Sequence, residues 1–298
     1  MVMTSYDSPA AARRRLRLAV RKAREASGLT QGQVAEQLSW SISKVNRMEN
    51  GEVTISPTDL SALLNLFGVN DREVVNEMSR DAKAAKQRGW WHEARYREHV
   101  TPAALQLFQF ESEATTVCSF QPTFFPGLLQ TAAYATAVME VWSDEVPPEA
   151  RAARLEVRAH RRARFFEQAR LPAYRFLLDE SVIHRILGNP TATAEQTVSI
   201  LETLVRHPGF ELRIVPFDRD LKITQLGPFT ICDLDDEPNA ILYRENTMDD
   251  SILLGGDEIL WFRRVFDQTW DAALNAEQSR QFMLHHVATV STRTSSAS

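Results

Sequence analysis

The sequence predicts a mainly α N-terminal domain of five helices, followed by a larger α+β domain with a small sheet. Three observations carry that prediction. Apolar residues recur at helical spacing through the first 80 residues, short β-rich runs appear beyond about residue 170, and the charge balance changes sign between the two parts. At 298 residues the chain exceeds the usual size of one compact domain. The expected organisation is a disordered arm over 1–11, a first domain over 12–80, a linker or connecting helix over 81–100, a second domain over 101–288, and a disordered Ser/Thr-rich tail over 289–298.

In the first domain, Leu16, Val20 and Ala23 lie at helical spacing over 11–27, and Gly28 suits the residue after the helix. Thr30 can cap a short helix over 31–38 whose inner face is Val34, Ala35 and Leu38. A break at Ser39–Trp40 precedes a helix from about Ser41 to Asn50, closed by Asn50–Gly51. Ser56–Pro57 opens a fourth helix bearing Leu60, Leu63, Leu64 and Phe67, with Pro57 at its first position. Asn70/Asp71 starts a fifth, which turns polar over Asp81 to Arg88.

The second domain reads differently. A helix is expected from Thr101–Pro102 with Leu105, Leu107, Phe108 and Val117, ended by Pro122 to Gly127. Helices follow over Leu128–Trp142 and from Pro147–Pro148 to about Arg170. Tyr174–Leu178, Glu211–Pro216, Pro228–Cys232 and Ala240–Tyr243 read as strands, with a helix over Ala194–Arg206 between the first two. Helices near Asp257–Leu274 and Ala276–Val287 close the fold.

Composition narrows the class. There is no run of 18 apolar residues, and Met1 to Arg15 has no apolar signal core, so a cytoplasmic protein with no membrane segment is expected. Cys118 and Cys232 have no CxxC spacing, which predicts reduced thiols rather than a disulfide framework or a zinc site, and no cofactor is expected. Residues 1–100 hold 16 Lys+Arg against 12 Asp+Glu, a balance of +4; the remainder holds 18 against 27, a balance of −9. A basic head on an acidic body fits a nucleic-acid reader joined to something else.

Two short helices separated by a tight turn must share a core, here Val34, Ala35, Leu38, Val45 and Met48, and the small Ala35 lets them approach. The outward face of the second helix then offers Ser41, Ser43, Lys44, Asn46 and Arg47, hydrogen-bonding types suited to base edges in a major groove. Gln31, opening the first helix, is placed to meet phosphate. The stretch from Gly28-Leu-Thr-Gln-Gly-Gln to Met-Glu-Asn-Gly51 resembles the XRE-type helix-turn-helix of phage-repressor-like regulators. That resemblance implies a five-helix, lambda-repressor-like domain, a phosphate-contacting Gln31, and DNA-facing Ser41, Ser43, Lys44 and Arg47. Ser39 departs from it, standing where Gly is usual. If the backbone there has positive φ, Ser costs about 1 kcal/mol relative to Gly.

Behind that head, Phe125-Pro-Gly-Leu-Leu-Gln-Thr131, Arg154…Arg158…Arg161, Asp179-Glu180, Val215-Pro-Phe217, Gly227-Pro-Phe229 and Tyr243…Glu245 are similar to actinobacterial XRE-type regulators with a large, toxin–antitoxin-like C-terminal domain. The resemblance implies double-stranded operator DNA as one partner, a homodimer, and a small partner protein encoded nearby. Arg162 departs from it, standing where Gln is expected. Arg151, Arg154, Arg158 and Arg161 recur on one helix face, either solvated and bridged to Glu149 and Glu156 or docking an acidic partner. Asp179, Glu180 and His184 are explained by an i,i+4 pair on a short helix. With no Gly-rich phosphate loop, HExxH or GxSxG, no catalytic or metal residues are assigned. A small-molecule sensor, and less so an enzyme fused to a DNA-targeting head, stand as the alternatives.

Overall fold

The computed structural model describes residues 9–86, 90, 93–168, 170–219, 221–234, 240–245, 250–254 and 256–296. The chain divides into two compact units at His92/Glu93.

The first unit holds five helices: α1 (Pro9–Ala26), α2 (Gln31–Gln37), α3 (Ile42–Glu49), α4 (Pro57–Leu66) and α5 (Arg72–Ala85). Helices α2 to α5 begin on a side chain that takes a free backbone N–H, namely Thr30, Ser41, Ser56 and Asp71, each cap contributing about 1 kcal/mol. Thr30 and Gln33 form a reciprocal capping box. Leu16, Val20, Val34, Ala35, Val45, Met48, Leu60, Leu63, Leu64 and Met78 close one core, with Leu38 packed at its edge. The expected linker over 81–100 changes here. Asp81, Ala82 and Ala85 are buried on α5. The Arg15 guanidinium donates to both Asp81 oxygens, and Arg13 Nε donates to Ala85 O. These contacts with α1 hold the last turn of α5 in the domain. The arm expected over 1–11 lies partly outside the described residues, and from Pro9 the chain is helical.

The second unit opens with a short helix, α6 (Ala94–Arg97), whose Tyr96 is fully buried. Then come α7 (Pro102–Glu113), β1 (Thr116–Gln121), a 3-10 turn (Gly127–Leu129), α8 (Ala132–Glu140), α9 (Pro148–Phe166), β2 (Ala173–Asp179), α10 (Glu180–His184), α11 (Pro190–Arg206), β3 (Phe210–Val215), β4 (Phe229–Asp233), β5 (Ala240–Arg244), β6 (Ser251–Leu254), α12 (Asp257–Ala272) and α13 (Ala276–Ser296). The sheet is mixed, in the order β3-β2-β1-β4-β5-β6. β1 pairs parallel to β2 and antiparallel to β4. Residues on one side of the sheet, among them Val117, Phe176, Cys232 and Ile241, pack in one cluster. Those on the other, among them Cys118, Phe120, Leu177 and Ile231, pack with α12. Cys118 and Cys232 are buried free thiols on opposite faces, and burial pushes the Cys118 thiol up to about 12.

Three expectations are corrected. The helix expected to run past Val117 stops at Glu113, and Thr116–Gln121 is the central strand β1, buried on both faces and therefore without alternation. β6 was not expected. The tail expected to be disordered from Thr289 continues α13 as helix to Ser296; once started, a helix propagates one hydrogen bond at a time.

Candidate nucleic-acid interface

The turn between α2 and α3 sets the interface. Ser39 has φ 54°, the one non-Gly residue with positive φ among the described residues. That conformation lets Ser39 N bond to Glu36 O and Trp40 N to Ala35 O, so α2 ends and the chain reverses into Ser41. Ser41 Oγ accepts from Lys44 N at 3.2 Å, making it the N-cap of α3. Trp40, whose role the sequence leaves open, packs against the domain core and carries the Lys44 ammonium 3.8 Å above its ring.

At about 100° per residue, buried Val45, Met48 and Glu49 define the inner side of α3. Ser43 and Arg47 then lie at the centre of the outer side, one turn apart, and both are exposed. Arg47 makes only a loose ion pair, 3.5 Å to Glu52 Oε2, so its guanidinium is available to a base edge. Lys44 and Asn46 fall on the flanks of this face and behave differently. Lys44 Nζ turns aside to Asp59 Oδ1 at 2.7 Å rather than outward. Asn46 is half-buried, and its amide oxygen is shielded from solvent without a hydrogen-bond partner. Neither side chain presents itself to DNA as Ser43 and Arg47 do.

Gln31, at the first position of α2, donates from Nε2 to Glu49 Oε2 at 2.7 Å. Glu49 is itself gripped by Arg24, whose Nε and Nη2 reach its two oxygens at 2.6 and 3.1 Å. The hydrogen bond to Glu49 chiefly holds the Arg24 guanidinium above its usual range, against burial. One carboxylate therefore ties α1, the start of α2 and the end of α3 together. It orients Gln31 at a helix N-terminus, where backbone N–H groups favour an anion.

Reading the sequence missed three residues. Ile42, at the first position of α3, is an apolar side chain that is 56% exposed. It stands one turn before Val45 on the same side of α3, exposed at the helix start. Glu49 carries no role in the sequence reading, although it stands one turn after Val45 on the apolar side. Asp59 was signalled by Ser56-x-x-Asp59, the spacing that places an acid three residues after a cap; Ser56 Oγ and Asp59 do bond to each other.

The four arginines of α9 are engaged within the chain. Arg151 donates to Glu140 at 2.8 Å and Arg154 to His99 O at 2.9 Å. Arg158 donates to Gln130 Oε1 at 2.9 Å, and Arg161 forms a two-pronged pair with buried Glu111 at 2.8 and 2.7 Å. The arginines thus bond to neighbouring elements rather than bridging to Glu149 and Glu156 as one of the two expectations had it. Val157 and Phe165 turn α9 inward, and the arginines reach the neighbouring elements. Arg162, the departure from the expected Gln, donates to Gln130 O at 3.0 Å. Asp179 caps α10, accepting from Ser181 N. Glu180 accepts from Phe217 N and pairs with His184 at 3.1 Å, so each has a structural partner. Among the described residues no three His, Cys, Asp or Glu side chains gather as metal ligands would, and no helix is long and apolar enough to cross a membrane.

A capped two-helix turn on a closed five-helix core, with an exposed Ser43/Arg47 face, defines a helix-turn-helix DNA-binding regulator. Residues 15–78 match a family described as a helix-turn-helix domain. Residues 105–285, more than half of the chain, match the family described as a domain of unknown function (DUF5753), and the chain belongs to that family. No curated protein and no solved structure matches the chain.

Proposed function

We propose that this chain is a cytoplasmic, nucleoid-associated transcription regulator of the XRE, antitoxin-like type. It binds an inverted-repeat operator as a homodimer through α3, and its C-terminal domain carries the dimer contact or binds a small partner protein encoded nearby. The observation that carries the reading is the outward pair Ser43 and Arg47 on a helix whose opposite face is locked into the domain core. Ser43 and Arg47 read base edges, Gln31 meets the flanking phosphate, and Ile42 adds an apolar contact. One recognition helix spans too few base pairs to select a genomic site, so pairing two heads on a two-fold axis supplies the missing specificity. Leu260 and Trp261, exposed apolar side chains on α12, support a protein contact on the second domain, since aromatic anchors are favoured there. The reading assigns no catalytic step.

Selection of bound DNA from a random pool by the full chain tests it. The expected product is an inverted repeat with half-sites about one helical turn, or a multiple of it, apart. Recovery of unrelated sequences at equal yield would remove the regulator reading.

A further inference from the structure

Helix α12 has two unlike sides. Ile259, Phe262, Val265, Phe266 and Trp270 are buried on its inner side and fix it to the domain. On its outer side Leu260 is 47% and Trp261 41% exposed, two consecutive large apolar side chains turned to solvent. The Trp261 ring stands edge-on to buried Phe262, with 5.1 Å between centroids, so it is held in place. An aromatic that is already ordered loses little entropy when a partner covers it, which is why such residues anchor interfaces.

Charges frame this apolar pair. Asp257 lies one turn before Leu260, and Arg264 one turn after Trp261. At about 100° per residue the four share one stripe, with Asp257 and Arg264 about 10 Å apart along the helix axis. Other charges of α12 are engaged within the chain: Glu258 with Arg244 at 3.0 Å, Asp267 with Arg175 at 3.4 Å, and Arg263 with Asp233. Asp257 and Arg264 are exposed, and neither side chain has a hydrogen-bond or ion-pair partner among the described residues. A helix face that carries an acid, an apolar pair and a base in that order is complementary to its own reverse.

We propose that α12 is the contact between two copies of this chain, packed antiparallel across a two-fold axis that passes between Leu260 and Trp261. Asp257 then faces the second copy's Arg264, Leu260 faces its Trp261, and the symmetry repeats each contact. A parallel pair would set Asp257 on Asp257 and Arg264 on Arg264. An axis that paired Arg264 with exposed Asp271 would centre on Asp267 and Gln268 and leave the apolar pair outside. The axis between Leu260 and Trp261 joins opposite charges and buries the apolar pair together. The contact spans about two turns of each helix, so association is weak and reversible, and two heads on one operator would add to it. The proposal rests on the homodimer half of the function given above and names its surface.

Sedimentation of the full chain without DNA, from about 1 to about 100 μM, reads the association. Wild type shifts from monomer towards dimer across the series. Asp257→Arg and Arg264→Asp each set like charges against each other twice, and each weakens self-association on the order of tenfold or more. Mixed with one another, the two variants form a heterodimer, and the doubly reversed chain associates like wild type, because both arrangements restore the opposite pairs. That recovery also shows that the variants are folded. A wild type that stays monomeric throughout, single variants that associate unchanged, or a mixture that fails to pair would overturn the proposal. If DNA selection yields an inverted repeat while the single variants associate unchanged, the homodimer reading stands and this surface alone falls. If the charge pairing holds and no inverted repeat is selected, the operator reading falls and the surface stands.

Discussion

Lys44 on the recognition helix donates to Asp59 on the following helix at 2.7 Å, with the Trp40 ring beneath its ammonium. A cation that could meet DNA is thus held by a carboxylate from its own domain, and Ser56 Oγ steadies that carboxylate from the other side. The clamp leaves Arg47 as the outermost positive charge at the centre of the helix face.

Asp59→Asn should release Lys44. The freed ammonium then reaches phosphate on any sequence, so affinity for random DNA rises several-fold, and the dependence of log K on log salt steepens by about 0.9, one phosphate contact. Fluorescence anisotropy across a salt series reads both quantities. An unchanged slope would mean that Lys44 stays clamped, or is already free, in the complex.

The clamp also makes the N-terminal domain sensitive to acid. Burial, the largest single influence, pushes the Asp59 carboxyl up, but the hydrogen bonds from Lys44 and Ser56 and the Lys44 charge outweigh it and leave the group below its usual range. The unfolded chain therefore binds the proton more readily. The clamp's contribution is complete above the ordinary Asp range, near pH 4, and is lost as pH falls through the lower folded value. Hydrogen exchange of α1–α5 amides should show wild type losing more stability than Asp59→Asn across that window. Parallel losses would detach Asp59 from the acid response.

Arg47→Ala should weaken binding to a selected operator by about 1–3 kcal/mol and binding to random DNA much less, because a base contact carries sequence information and a phosphate contact does not. Competition binding with the two DNAs settles it. Equal losses would move Arg47 from base to phosphate.

The five N-terminal helices were legible because each is local, with a cap such as Thr30, Ser41 or Ser56 at one end and an apolar stripe on one side. What lies across elements was not. Nothing in α3 indicates that Lys44 meets Asp59, fifteen residues on, or that Gln31 and Arg24 share Glu49. In the second domain, β1 reads like the preceding helix because burial on both faces erases alternation, leaving only its β-branched and aromatic content as a signal. The 3, 4, 3 spacing of the α9 arginines identified a face, but not that Glu111 and Gln130 would meet it from other elements.

Glu49→Ala should cost the N-terminal domain about 3–5 kcal/mol, because it strands the half-buried Arg24 guanidinium and frees Gln31. Arg24→Met combined with Glu49→Leu should recover much of that loss, since an apolar pair has no charge to desolvate. Exchange rates of the α1–α3 amides give both values. A single-variant loss below about 1 kcal/mol would show the pair to be an incidental surface contact.

Ser39→Gly should stabilise the turn into the recognition helix. Ser39 holds φ 54° with its backbone committed to Glu36 O, so its Cβ bears a steric cost that Gly lacks. The expected gain is up to about 1 kcal/mol, reduced by the greater freedom of Gly in the unfolded chain. The Ser39 side chain is exposed, so little packing is lost in return. Slower exchange at Trp40 and the first turn of α3, with operator affinity unchanged, is the expected result. Faster exchange would mean that the strain is offset by an interaction of the Ser39 hydroxyl and that serine is the better residue in this turn.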